Sequence, residues 1–132
     1  MFAVLVVLSF LFQQSAQDTS LLHKWSFEAS CQNPSASLDG TIHIVFDSAT
    51  YVVGAIKFDK HTIPFHGRHL GQRLAFRTDK GFNPVIRLDC LLDSTGASLS
   101  GTLQSSKVHA IDAHKHAKDF YDVMFQFYAV RP

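Results

Sequence analysis

The chain alternates. Leu21, His23, Trp25 and Phe27 interleave with Leu22, Lys24, Ser26 and Glu28, so one face is bulky and the other mostly polar. A period of two is the mark of a half-buried strand, and by that phase His23 points inward beside Trp25 as a core histidine. The pattern recurs at Ile42, Ile44 and Phe46, at Val52, Gly54, Ile56 and Phe58, and at Leu74 and Phe76. Segments from Val85 to Leu92, Leu99 to Leu103 and Tyr121 to Arg131 continue it, and a proline-interrupted strand near Thr62 to His69 makes eight. No stretch carries an apolar stripe at helical spacing; Val108 to Lys118 is only mildly helical in composition. Short strands separated by Gly, Pro, Asn and Asp predict an all-β sandwich or barrel. Eight antiparallel strands in up-and-down order close into a barrel and leave no sheet edge.

That order decides which loops lie together. Connections at Ser30 to Asp39, Asp59 to His61, Thr78 to Asn83 and Ser105 to Lys118 fall at one end. Connections at Asp47 to Thr50, Leu70 to Gln72 and Asp93 to Ser98 fall at the other. The first set holds both long loops, and binding concentrates on long loops over a rigid scaffold. That end is the expected mouth.

Before the first strand, Phe2 to Leu8 is an unbroken apolar run, extended by Phe10, Leu11 and Phe12 and followed by Gln13, Gln14, Ser15, Ala16 and Gln17. Too short for the roughly 20 residues of a membrane span, it reads as a cleavable secretory leader. The expected layout is a signal peptide at residues 1–17 and one barrel domain at residues 18–132. The net charge is +1 with Lys and Arg scattered, so neither a nucleic-acid nor a membrane surface is expected. Asn33 and Asn83 both precede proline, which removes N-glycosylation. Two cysteines in a secreted chain, Cys31 and Cys90, suggest one disulfide.

In a closed barrel the first and last strands are neighbours, so Arg131 can stack its guanidinium over the Trp25 ring and plug the closed end. That pair is shared by the lipocalin-like superfamily of barrels. Within it the chain resembles the avidin family. Lys24-Trp25 on the first strand, Gly40-Thr41 opening the second and Gly54-Ala55-Ile56 in the third follow the avidin order. Pro64-Phe65-His66-Gly67 resembles a Pro-Leu-His-Gly segment of the fourth strand, and Cys90-Leu91-Leu92-Asp93 with Gly96 resembles a Cys-Phe-Ile-Asp stretch and its turn. The likeness spans residues 18–132.

The resemblance implies a small-molecule ligand in the barrel mouth, biotin by default, no cofactor, and a homo-oligomer. It points to Phe27, Thr41, Ile56, Phe76, Phe82, Leu103 and Phe127 as ligand-facing positions. The departures are chemical. Trp25 is the only tryptophan, so the tryptophan cage of avidins is missing, with roughly Leu103 or Gln104 where the seventh strand carries one. Phe27 or Glu28 replaces the first-strand Asn, Ile56 the third-strand Tyr, and Thr78-Asp79-Lys80-Gly81-Phe82 the hydroxyl-rich loop. Each lost hydrogen bond or aromatic wall removes on the order of 1–3 kcal/mol, so biotin affinity is expected to be far below that of avidins. In the family the cysteine matching Cys90 bonds one ahead of the first strand; here its partner is Cys31 in the following loop.

The eight histidines add a second chemistry. His61, His66, His109, His114 and His116 belong to segments at the expected mouth. His109, His114 and His116 read as a Cu or Zn chelating set, or simply as polar loop residues. A mouth rich in imidazole gains positive charge as pH falls through about 6.5. Asp59, Asp79 and Asp119 come from the same segments, yet no Ser–His–Asp, Cys–His or phosphate-loop spacing is present, and a binding protein is expected over an enzyme. The rival expectation is a diverged barrel, its core filled by phenylalanines, that binds another protein.

Overall fold

The computed structural model describes residues 20–132; the leader read at residues 1–17 lies outside the described residues. Eight strands form one closed antiparallel barrel in sequence order. They are β1 (His23–Gln32), β2 (Ser35–Asp47), β3 (Tyr51–Phe58), β4 (His61–Leu70), β5 (Arg73–Thr78), β6 (Ile86–Leu92), β7 (Ser98–Ile111) and β8 (Ala117–Val130). The up-and-down barrel expected from the alternation is therefore present, and β1 closes it by pairing with β8.

The alternation sorts side chains as a half-buried sheet must. Trp25, Phe27 and Ala29 of β1, Ile42 and Ile44 of β2, and Phe125, Phe127 and Ala129 of β8 are buried, and the residues between them are mostly exposed. Phe65 and Phe76 stack 3.7 Å apart, and Phe27 and Phe127 meet at 5.6 Å. The phenylalanines fill the barrel's own middle. Gly54 belongs to the same packing: a Cβ there would strike the His43 carbonyl oxygen and the Phe65 ring.

Three expectations are corrected. His23 is exposed and has a φ of 85°, so the chain turns at the start of β1 and the inward phase begins at Trp25. The segments Ser30 to Asp39 and Ser105 to Lys118 are not long loops. β1 and β2 run on to a turn at Asn33 and Pro34, and β7 and β8 to a turn at residues 112–116. The Asp112 carboxylate organises that second turn by accepting the backbone N–H groups of His114 and His116, each within 2.9 Å.

The β7–β8 hairpin also changes face. Inward positions run Leu103, Ser105, then Val108 on β7, and half-buried Phe120, then buried Val123 and Phe125 on β8, so a spacing of three interrupts the period of two on both strands. Asp122, with a φ of 53°, supplies the left-handed residue at that point. β1 and β8 pair only from Ser26 to Ser30. Beyond Ser30 the hairpins part, and β7 reaches across the barrel end to touch β2, which is not its neighbour in the sheet.

Candidate functional site

The two ends of the barrel are built differently. At the closed end, Arg131 lies over the Trp25 ring at 4.2 Å and donates to the Ser20 carbonyl at 2.7 Å. The Trp25 indole donates to the Leu21 carbonyl at 3.0 Å, and the Leu21 amide donates to Asp47 Oδ2 at 2.9 Å. Asp47 and His69 meet at 2.9 Å with side chains only 4% and 3% exposed. His69 Nδ1 faces that carboxylate and Nε2 faces the Gly71 carbonyl at 2.9 Å. Both partners are acceptors, so the buried ring is held between two groups that can each take an N–H. Burial raises the Asp47 carboxyl, but the hydrogen bonds from His69, Leu21 and Ala49 outweigh it and hold it below the usual range. The residues before β1, the β2–β3 turn and the β4–β5 turn are thus tied at one point. Nothing in the alternation singled out Asp47 or His69; a buried polar pair becomes visible only when two distant turns are side by side.

At the other end a cleft of about 800 Å3 opens where the four expected connections gather. Residues 35–38 of β2 form one wall, Phe58, Asp59 and His61 a second, Asn83 and Pro84 a third. Residues 105–110 of β7, with Asp119 and Tyr121 of β8, form the fourth. Phe58 and Val108 are buried at its base, as is Ser105, whose hydroxyl donates to the Lys107 carbonyl at 3.0 Å. On the fourth wall His109 Nδ1 bonds Asp119 at 3.0 Å and Lys107 reaches the same carboxylate at 3.4 Å. The His109 bond first, and Lys107 after it, hold the Asp119 carboxyl below its ordinary range. On this wall the opposite charges neutralise each other.

The positions named from the resemblance fall in three places. Phe27, Ile56, Phe76, Leu103 and Phe127 are buried in the barrel interior, packed in one cluster beneath the cleft. Thr41 is half-buried on the outer face, paired with exposed Ser26 and Lys57. Phe82, 43% exposed, stands in the loop after β5 and does not line the cleft. Of the histidines, His61 and His109 line it. His66 bonds Asp79 at 2.7 Å away from the cleft, and His114 and His116 sit in the β7–β8 turn. Asp59 and Asp119 share the cleft but stand on different walls. Among the described residues no group of three or more His, Cys, Asp or Glu side chains is placed to hold a metal ion. Asn83 went unread because an Asn beside proline signals a turn, whatever it faces.

The expected disulfide is absent. Cys31 and Cys90 are both free thiols. Cys31 lies on β1 beside the mouth turn, where its thiol donates to the Pro34 carbonyl. Cys90 lies on β6 toward the closed end, paired between Leu74 and Gly101. β1 and β6 are not adjacent in the barrel, so both its length and its width separate the sulfurs. Burial, then the neighbouring Asp89 charge, push the Cys90 thiol up to about 12, and burial also raises that of Cys31.

No protein-family model matches the chain, and no curated protein matches it.

Proposed function

We propose that this protein binds a small, partly apolar molecule in the mouth cleft, above an interior that its own phenylalanines have closed. The observation that carries this reading is the placement of the cleft. It sits at the end where loops and hairpins converge, has a volume typical of ligand pockets, and combines apolar lining, Leu38, Phe58 and Val108 among it, with polar residues such as His61 and Asn83. The resemblance to avidins makes biotin the first ligand to try, and the leader makes the protein a secreted one. With Trp25 engaged by Arg131, no tryptophan is left to enclose a bicyclic ring at the mouth. Biotin binding is accordingly expected to be weak and to involve the cleft instead of the barrel centre. Calorimetric titration of the purified protein with biotin at neutral pH tests this. A weak, saturable heat that Asn83→Ala diminishes supports the reading; avidin-like affinity would mean that the packed phenylalanines move aside.

A second reading is favoured by the filled interior. If the barrel is only a scaffold, exposed Phe82, Ile111 and Tyr121 on the mouth segments form an apolar rim for a protein partner. The homo-oligomer implied by the resemblance is one form of it. Sedimentation velocity between micromolar and submillimolar protein distinguishes a self-associating barrel from a monomer with an empty cleft.

A further inference from the structure

Scattered along the chain, the arginines gather in the fold. Arg131 belongs to the closed end. The other four, Arg68, Arg73, Arg77 and Arg87, stand exposed on the outer face of the adjacent strands β4, β5 and β6. Asp89 shares that face, and Arg73 donates to both its oxygens, at 2.9 and 2.6 Å. Just past β5, Asp79 is bonded by His66 at 2.7 Å. Arg77 and Arg87 are left facing each other. They are direct partners in the β5–β6 pairing, and among the described residues neither side chain has an ion pair or hydrogen bond. Like charges directly opposite on a sheet, with Cβ atoms about 4.5–5.5 Å apart, repel and weaken the pairing. An anion between them turns that repulsion into two attractions.

A hollow of about 210 Å3 lies at this place, lined by Arg77, Val85, Arg87, Gln104, Ser106 and Asp122. Gln104 is the partner of Arg87 on β7 and brings an amide donor. The Ser106 hydroxyl accepts the Val85 amide at 2.9 Å, which leaves its own O–H to donate. Asp122 offsets one of the two positive charges. The hollow is smaller than the roughly 300–1,000 Å3 of pockets that hold whole small molecules, so it suits a single charged group. A cation is repelled by the two arginines, and an apolar group would cover their guanidiniums unpaired. A carboxylate has two oxygens, which one guanidinium fork already satisfies. A phosphate or sulfate group spreads at least three oxygens around a tetrahedral centre, and both arginines and the Gln104 amide can meet them at once. We infer that the hollow between Arg77 and Arg87 binds a tetrahedral oxyanion, phosphate or sulfate, free or as the terminal group of a larger molecule. The site stands apart from the mouth cleft, sharing Ser106 with it.

The test follows the side-chain Nε–H signals of Arg77 and Arg87 in the 15N-labelled protein at low ionic strength. The probes are inorganic phosphate, inorganic sulfate, phenyl phosphate and phenyl sulfate, with acetate and chloride as contrasts at matched ionic strength. The expected result is saturable shifts at both arginines and at the Gln104 side-chain amide with at least one tetrahedral anion, weakened by added salt. Binding of the phenyl esters supports the site as one for a larger molecule; binding of the inorganic ions alone supports it as one for the free anion. Arg87→Gln should weaken the affinity about tenfold or more, and Asp122→Asn should strengthen it a few-fold. Arg87→Gln also separates loss of the site from loss of the fold. Without anion its melting temperature should equal or exceed that of the native protein, because the opposed charges are gone, while the anion that raises the native value no longer raises it. Equal shifts with chloride and acetate would reduce the effect to general screening and overturn the proposal, as would no saturable shift. Shifts at the two arginines that grow with protein concentration alone would give the face to a second copy and overturn it too.

Discussion

The closed end and the mouth use nearly the same residue types for opposite purposes. Each has an aspartate bonded to a histidine: Asp47 to His69 at 2.9 Å, and Asp119 to His109 at 3.0 Å. The first pair is almost wholly buried and each ring nitrogen has an acceptor; the second is open to water, with His109 70% exposed. A buried pair is worth much to the fold because breaking it strands a charge, whereas an exposed pair exchanges its partner for water at little cost. The same division holds for the aromatics. Trp25 is sealed between Arg131 and the core, while Tyr121 at the cleft is 68% exposed. One end is tied by buried bonds, and the other leaves its polar groups open to water.

The largest test of this contrast is Trp25→Ala. It removes a fully buried indole, its bond to Leu21 and the surface on which Arg131 rests, and should cost about 3–5 kcal/mol in urea unfolding. Tyr121→Ala at the mouth should stay within about 0.5 kcal/mol. Next is Asp47→Ala, which leaves the buried His69 without its carboxylate and Leu21 without an acceptor. A loss of about 3 kcal/mol is expected, against almost none for Asp119→Ala; equal effects would erase the distinction between the ends.

A smaller effect follows from protonation. The Asp47 carboxyl titrates lower in the folded protein than in the unfolded chain. Its contribution is therefore complete above the unfolded value of about 3.9 and disappears as pH falls through the lower folded value. Stability followed from pH 6 down to pH 2 should fall in that window for the native protein and less steeply for Asp47→Asn. The smallest predicted effect is none at all: with both thiols free, the melting temperature should be the same with and without a reductant. A drop of several degrees on reduction would reveal a bond between Cys31 and Cys90.

Much of the barrel was legible because burial imposes a period of two, and Trp25-x-Phe27 or Ile42-x-Ile44 obey it without exception. The hairpin ends were not legible. There β7 and β8 exchange faces between Ser105 and Val108 and between Phe120 and Val123, which destroys the very signal that identifies a strand. Ser35 to Asp39 hid for another reason: exposed Ser35 and Ser37 alternate with half-buried Ala36 and Leu38, and small Ala gives too little hydrophobic contrast to announce a strand. The mouth's location followed from strand order alone. Its lining did not, because the inward positions named from the resemblance lie below the cleft, in contact with one another. The free cysteines show the limit of counting: an even number is compatible with a bond, and only their places in the barrel forbid it.

Native-state hydrogen exchange, read amide by amide, tests the division between the two ends most directly. The amides of Leu21 and His69, held by Asp47 Oδ2 and the Thr50 carbonyl, should exchange only when the whole barrel unfolds. Those of the β7–β8 hairpin from Lys107 to Tyr121 should exchange through local opening, at markedly lower free energy. A hairpin as protected as the closed end, or a closed end that opens first, would contradict the account.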